Sequence, residues 1–326
     1  MWRCLAALVV LGVTSLSAAE TESVKPFLGR WDFTVSTPTR SWPQWLEITE
    51  KDGVAQGRVQ PEGGPVRPVA SVAVEGGHLI VTIGKGGQRQ GRVVPATVWD
   101  LSLDGSAKLV GLQKQGENVS TKLAGVRAPD LKRPEPSLWS APVALFNGKD
   151  LTGWEPLGDA AKSHWVVSKS GELFNEARGP NIATTPKFDD FKLHIEANCP
   201  DPAVPAGEKQ EFCNSGIYLR GRYEIQVGSE GGMDPTHEMG AVYGYFPARG
   251  ALPVGAGEWQ ILDITFVGRT VTVIRNGVTL HDHQEIPGIT GGALDSNEGA
   301  PGPLFIQGDH VGGMKYRNIT ISVPAK

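Results

Sequence analysis

The chain has 326 residues, 40% hydrophobic and 20% charged, with a formal net charge of −4 at pH 7. Such a balance describes a globular chain, not a disordered one, and a mildly acidic surface without basic clusters excludes nucleic acid as an expected partner. High counts of glycine (42) and proline (24) without a collagen-like period fit many short strands joined by turns.

Residues 1–19, "MWRCLAALVVLGVTSLSAA", combine one basic residue, an apolar stretch and small residues at Ser17 and Ala19. They read as a secretory signal peptide, so the mature chain is expected to be exported, to the periplasm or the extracellular space. No later segment is apolar enough for a membrane span. From residue 25 to 127 the pattern is short alternating stretches, "GRWDFTVS", "QWLEITEK", "HLIVTIG" and "TVWDLSLDG" among them, punctuated by Asp52-Gly53, Gly76-Gly77 and Asp104-Gly105. This predicts a small up-and-down β-barrel or sandwich, and "GRW" at 29–31 resembles the opening of lipocalin-like barrels. Residues 128–142, "APDLKRPEPSLWSAP", are proline-rich and read as an extended linker.

From 143 to 326 a second, larger β-rich region follows, with "FKLHIEANC", "EWQILDITFVG" and "YRNITISV" as clear strands and Asn276-Gly277 as a hairpin turn. Two packed antiparallel sheets, a sandwich or jelly roll, suit its length and pattern, and the whole chain is expected to be all-β. Cys199 and Cys213 are the two cysteines beyond the leader. In an exported chain an even count points to a disulfide, with two buried thiols as the alternative.

The stretch "CNSGIYLRGRYEIQV" (213–227) carries Tyr218, Arg220, Arg222, Glu224 and Gln226 at even positions and apolar residues at odd ones. Strand alternation places the odd set in a core and the even set on the other face. A ring, a guanidinium, a carboxylate and an amide suit a hydroxylated ligand, whereas Lys, Thr and Ser would serve for bulk water. Glu224 is also open to a structural ion pair with Arg220 or Arg222.

"LFNGKDLTGWEP" (145–156), "NSGIYLRGRYEIQV" (214–227), "GEWQILDITFVGRTVTVIRNGV" (257–278) and "GPLFIQGDHVGGMKYRNITI" (302–321) resemble, in order, the motifs of the 3-keto-disaccharide hydrolase family, also described as 3-keto-glucoside 1,2-lyase or 3-keto-2-hydroxyglucal hydratase. The resemblance implies a concanavalin A-like jelly roll and an enzyme that cleaves oxidised (3-keto) glucosides by elimination and hydration. On it, Glu224 is the expected base or acid, and Arg220 or a bound cation would meet the enolate oxygen. Asn214 and Gln226 would hold sugar hydroxyls, Tyr218, Tyr243 and Trp259 would stack on the ring, and Gln307 would lie nearby. His310 is offset by one residue from the place the family pattern gives it. No cofactor follows from the sequence, although the pairs His237-Glu238 and Asp309-His310 leave room for a divalent metal. The alternative is a non-catalytic, lectin-like carbohydrate-binding protein, because fold alone does not establish activity.

Overall fold

Left-handed turn residues divide the first region into hairpins: Asp52 (φ 52°) and Gly53 (φ 75°) close one, Gly76 and Gly77 another. In the computed structural model, which describes residues 22–84, 86–89, 92–199, 214–228, 234–250, 257–310 and 312–325, these hairpins build a nine-stranded antiparallel sheet. The leader at 1–19 and Cys213 lie outside the described residues. The strand order is Arg67–Pro68, Val54–Gln60, Ser41–Lys51, Gly29–Ser36, Asn118–Arg127, Lys108–Gln115, Thr97–Asp104, His78–Gly84, Ser71–Glu75. Its two ends meet through residues 69 and 70: Val69 N donates to Gly57 O (2.9 Å) and Ala70 N to Thr82 O (2.7 Å). The result is an up-and-down barrel filled by side chains such as Phe33, Leu46, Trp99 and Leu109. Trp31 is fully buried at one end, its indole donating to Phe27 O (2.8 Å) and its ring capped by the Arg127 guanidinium at 4.1 Å.

The second region is a sandwich of two antiparallel sheets. One runs Trp165–Val167, Leu173–Asn175, Lys315–Ser322, Phe191–Asn198, Trp259–Val267, Thr270–Arg275, Val278–Glu285, with Val143–Ala144 also paired to Lys315–Ser322. The other runs Trp154–Pro156, Ile182–Thr184, Phe305–Ile306, Ser215–Leu219, Tyr223–Val227. Leu193, Ile264 and Phe266 from the first sheet and Ile217, Ile225 and Ile306 from the second share one apolar core. The proline-rich connection is held to the sandwich rather than standing clear of it. Arg133 forms a forked pair with Asp190 (2.8 and 2.5 Å), and Arg269 donates to Pro129 O. At Gly268 a Cβ would lie 1.9 Å from Leu131 O, so the two backbones touch there.

Alternation on the Ser41–Lys51 strand joins the two regions. Leu46 points into the barrel core, while its neighbour Trp45 enters the core of the sandwich. The Trp45 indole donates to Tyr245 Oη (2.8 Å) and Ile289 O (3.1 Å), and the two rings stack with centroids 6.3 Å apart. Beside it lies a buried charge cluster. Glu298, 1% exposed, meets Arg30 of the barrel, Arg269 Nη1 (3.2 Å) and Tyr223 Oη (2.7 Å). Asp32 adds a second carboxylate 3.2 Å from Arg30 Nε.

Burial, then the neighbouring Glu298 charge, pushes the Asp32 carboxyl from 3.8 up to about 8. Between those values the folded chain keeps a proton that the unfolded chain has lost, so this group makes stability fall as pH rises from about 4 to about 8. We predict that Asp32→Asn removes that fall. By calorimetry its Tm should exceed wild type by at least about 2 °C at pH 8 and converge with it near pH 4. An unchanged difference across this window would contradict the assignment.

Candidate active site

The hairpin Ser215–Leu219/Tyr223–Val227 lies in the five-stranded sheet, and all ten of its strand residues are buried. Ile217, Leu219, Tyr223, Ile225 and Val227 pack in the sandwich core. On the opposite face the register sets Tyr218 against Glu224 and Gly216 against Gln226. Tyr218 is clamped by Phe305, ring on ring at 3.9 Å and 13°. Its hydroxyl donates to Glu224 Oε2 (2.6 Å), with Gly291 O as a longer acceptor at 3.0 Å. Burial, then the Glu224 charge, pushes that hydroxyl well above the ordinary tyrosine range, so it keeps its proton and stays a donor. The Glu224 backbone is fixed as well: its N–H donates to Thr290 Oγ1 (3.0 Å) and its carbonyl accepts from Tyr243 N (3.1 Å).

Two glycines make room for this pair. A Cβ on Gly216 would lie 2.1 Å from Glu224 Oε1, and one on Gly292 (φ 79°) would lie 2.4 Å from Tyr218 Oη. Above the pair opens a cavity of about 440 Å³ lined by Asn214, Tyr218, Glu224, Gln226, Tyr243, Gln307, Asp309 and His310, together with Gly291, Gly292 and Glu62–Gly64. That volume falls in the usual range for small-molecule sites. The Gln226 amide donates to Asn214 Oδ1 (3.1 Å), but Gln226 Oε1 and Gln307 Oε1 are buried without a hydrogen-bond partner. A buried carbonyl oxygen left unmatched costs about 1–3 kcal/mol, and a ligand hydroxyl donating to it would recover that. The chemistry on offer is one positioned carboxylate, two amide acceptors and an imidazole at His310.

Not every expected residue is here. Arg220 was expected to reach the enolate position, but it takes φ 51° at the start of a three-residue turn, which ends the alternation after Leu219. Its guanidinium pairs with Asp189 (2.7 Å) and Gly268 O (2.8 Å) and lies 5.1 Å from the Phe266 ring. Arg222 is forked onto Asp295 (2.7 and 3.1 Å). Trp259 is also outside the pocket: its strand belongs to the other sheet, where Arg317 covers its ring at 3.9 Å. Tyr218, expected to stack on the sugar ring, has one face of its own ring covered by Phe305 and its hydroxyl bonded to Glu224. Of the metal candidates, Asp309 lines the pocket, whereas His237 stacks on the Tyr243 ring at 4.5 Å and, like Glu238, is not part of the lining. Among the described residues no group of three His, Cys, Asp or Glu side chains is arranged to hold a metal ion, so we derive no step through one. Gly216, Gly291 and Gly292 and the barrel residues Glu62, Gly63 and Gly64 are not among the residues that the sequence singled out.

The chain is all-β, and the domain family it matches is one of carbohydrate-active enzymes. The family model of the 3-keto-alpha-glucoside-1,2-lyase-like domain matches residues 141–322, and the chain belongs to that family. No curated protein matches it. Among solved structures, a candidate glycosyl hydrolase from Parabacteroides distasonis is similar at 30% identity over 59% of this chain and 93% of that one, with a TM-score of 0.49. A second from the same organism is similar at 20% identity over 57% and 94%, with a TM-score of 0.43.

The clearance at Gly216 can be tested as a coupling. Gly216→Ala should cost about 1–3 kcal/mol in denaturant unfolding by overpacking against the Glu224 carboxylate. In a Glu224→Ala background the same substitution should cost less than about 0.5 kcal/mol, because the clash is gone. Equal costs in both backgrounds would mean that Gly216 serves something else.

Proposed function

We propose that the protein cleaves 3-keto-glucosides by 1,2-elimination followed by hydration, a net hydrolysis. The observation that supports this most is Glu224, buried, held by the Tyr218 hydroxyl and facing a pocket with two unmatched amide oxygens, inside a domain of this family. A C3 ketone makes the C2 proton acidic, because its loss gives an enolate. In this reading the Glu224 carboxylate takes the C2 proton, the C1–O bond breaks, and the aglycone leaves with a proton from His310. Water then adds to C1 of the unsaturated sugar and gives its spare proton back to His310, while Glu224 returns its proton to C2, giving the 3-keto sugar with both side chains as they began. Gln226 and Gln307 accept hydrogen bonds from ring hydroxyls and fix the ring over Glu224. Tyr218 orients the carboxylate, and general-base catalysis of this kind is worth about 10²–10⁴ in rate.

The assay is aglycone release from a nitrophenyl 3-keto-glucoside, with the unoxidised glucoside alongside. Wild type should release nitrophenol from the keto substrate alone. Glu224→Gln should lower kcat by at least about 10² with KM changed far less. Binding of the keto-glucoside by wild type without release would overturn the reading in favour of a lectin.

Export completes the proposal, as the leader-like start of the chain suggests, and with it a disulfide between Cys199 and Cys213. The loop between them has 13 intervening residues, and closing a loop of this size stabilises by about 3 kcal/mol. Alkylation of the mature protein without reductant should leave both cysteines unmodified, while two added labels would show free thiols.

A further inference from the structure

The barrel supplies one wall of the pocket. Residues 61–65, "PEGGP", lie outside the matched 141–322 segment, yet Glu62, Gly63 and Gly64 line the same cavity as Glu224. The loop is built, not draped. Gln60, 1% exposed, donates from its amide to Pro61 O (2.8 Å) and Gly64 O (3.0 Å), closing the loop on itself. Gly292 N donates to Glu62 O (3.1 Å), and Arg40 holds the Glu62 carboxylate from behind. The opposing backbones are in close contact: a Cβ on Gly291 would lie 3.0 Å from Gly64 N, and one on Gly244 would lie 2.8 Å from Pro65 Cα. Gly291 also accepts from Tyr218 Oη, so the loop touches the peptide that borders the Tyr218–Glu224 pair.

Burial orders the cavity from floor to mouth. Asn214, Tyr218, Glu224 and Gln226 are each less than a tenth exposed, whereas Glu62, Gly63 and Asp309 are exposed. A sugar ring reacting at Glu224 lies on the floor, so the part of the substrate that leads out to solvent is the aglycone. The 61–65 loop borders that way out, with Asp309 and His310 also in the lining. No Lys or Arg is among the described residues of the lining, which holds three carboxylates, Glu62, Glu224 and Asp309, against the half-buried His310 imidazole, with Arg40 outside the lining paired to Glu62.

We propose that the 61–65 loop of the barrel is the aglycone-contacting wall of the site and selects neutral aglycones, a second sugar included, over anionic ones. This rests on the reading of the pocket as a 3-keto-glucoside site, and makes the barrel part of the enzyme's specificity.

The test compares kcat/KM for three 3-keto-glucosides: methyl, a neutral disaccharide, and a carboxylate-bearing phenyl glycoside. Gly63 is not in the left-handed region and a Cβ there meets nothing within 4 Å, so the side chain of Gly63→Trp starts in open space. It should lower the disaccharide-to-methyl ratio of kcat/KM at least tenfold, mostly through KM. Val54→Trp, at an exposed position on the same barrel, should leave that ratio within twofold of wild type. Glu62→Lys should raise the ratio of the anionic to the neutral phenyl glycoside at least threefold, and decides the matter if Gly63→Trp is not recovered folded. Active wild type with both ratios unmoved overturns the loop's role alone. Wild type inactive on all three glycosides overturns the parent reading, and this one with it.

Discussion

Glu298 carries a carboxylate into the seam between barrel and sandwich, where Arg30 reaches it from one side and Arg269 and Tyr223 from the other. A buried charge is tolerable only where its partners are in place, and losing one partner of such a pair costs about 3–5 kcal/mol. Apolar contact alone would let two convex surfaces settle in several orientations. Directed charge pairs leave one, and Trp45, inserted into the sandwich core with its N–H bonded to Tyr245 and Ile289, fixes the same orientation from a second point. With the barrel held this way, the loop after the Val54–Gln60 strand meets Gly291 and Gly292 backbone to backbone.

The pocket depends on what is missing from side chains as much as on what is present. Gly216 and Gly292 leave the volume that Glu224 and the Tyr218 hydroxyl occupy, and Phe305 prevents the Tyr218 ring from swinging away. The pair is therefore placed by packing and by one hydrogen bond, with Thr290 and Tyr243 holding the backbone beneath it. The hairpin's backbone is matched strand to strand, while Gln226 Oε1 and, beside it, Gln307 Oε1, both on residues that line the pocket, are buried without partners.

Much of this was legible in the chain. Period-two alternation was enough to place Tyr218, Glu224 and Gln226 on one face, because those positions stay within regular strand on either side of the turn. The same rule failed at Arg220, where the backbone enters the left-handed region and the side chain is carried to Asp189. Trp259 lies on a regular strand as well, but alternation says nothing about which sheet a strand joins. His310, one residue off the family pattern, still reaches the cavity, since the motif around it is loop and tolerates the shift. The contribution of residues 62–64 was beyond reach of any local rule: it comes from a contact between segments more than 200 residues apart, set by how two domains dock.

The strand Lys315–Ser322 ends the sandwich in sequence but not in space. It lies inside its sheet, between Leu173–Asn175 and Phe191–Asn198, and also receives Val143–Ala144 from the start of the region. During synthesis the sheet therefore has a gap in its middle until residues 315–322 emerge, and its core cannot close before then. The barrel, complete by residue 127, has no such wait. The half whose sheet is completed later in the chain is the one that carries Glu224.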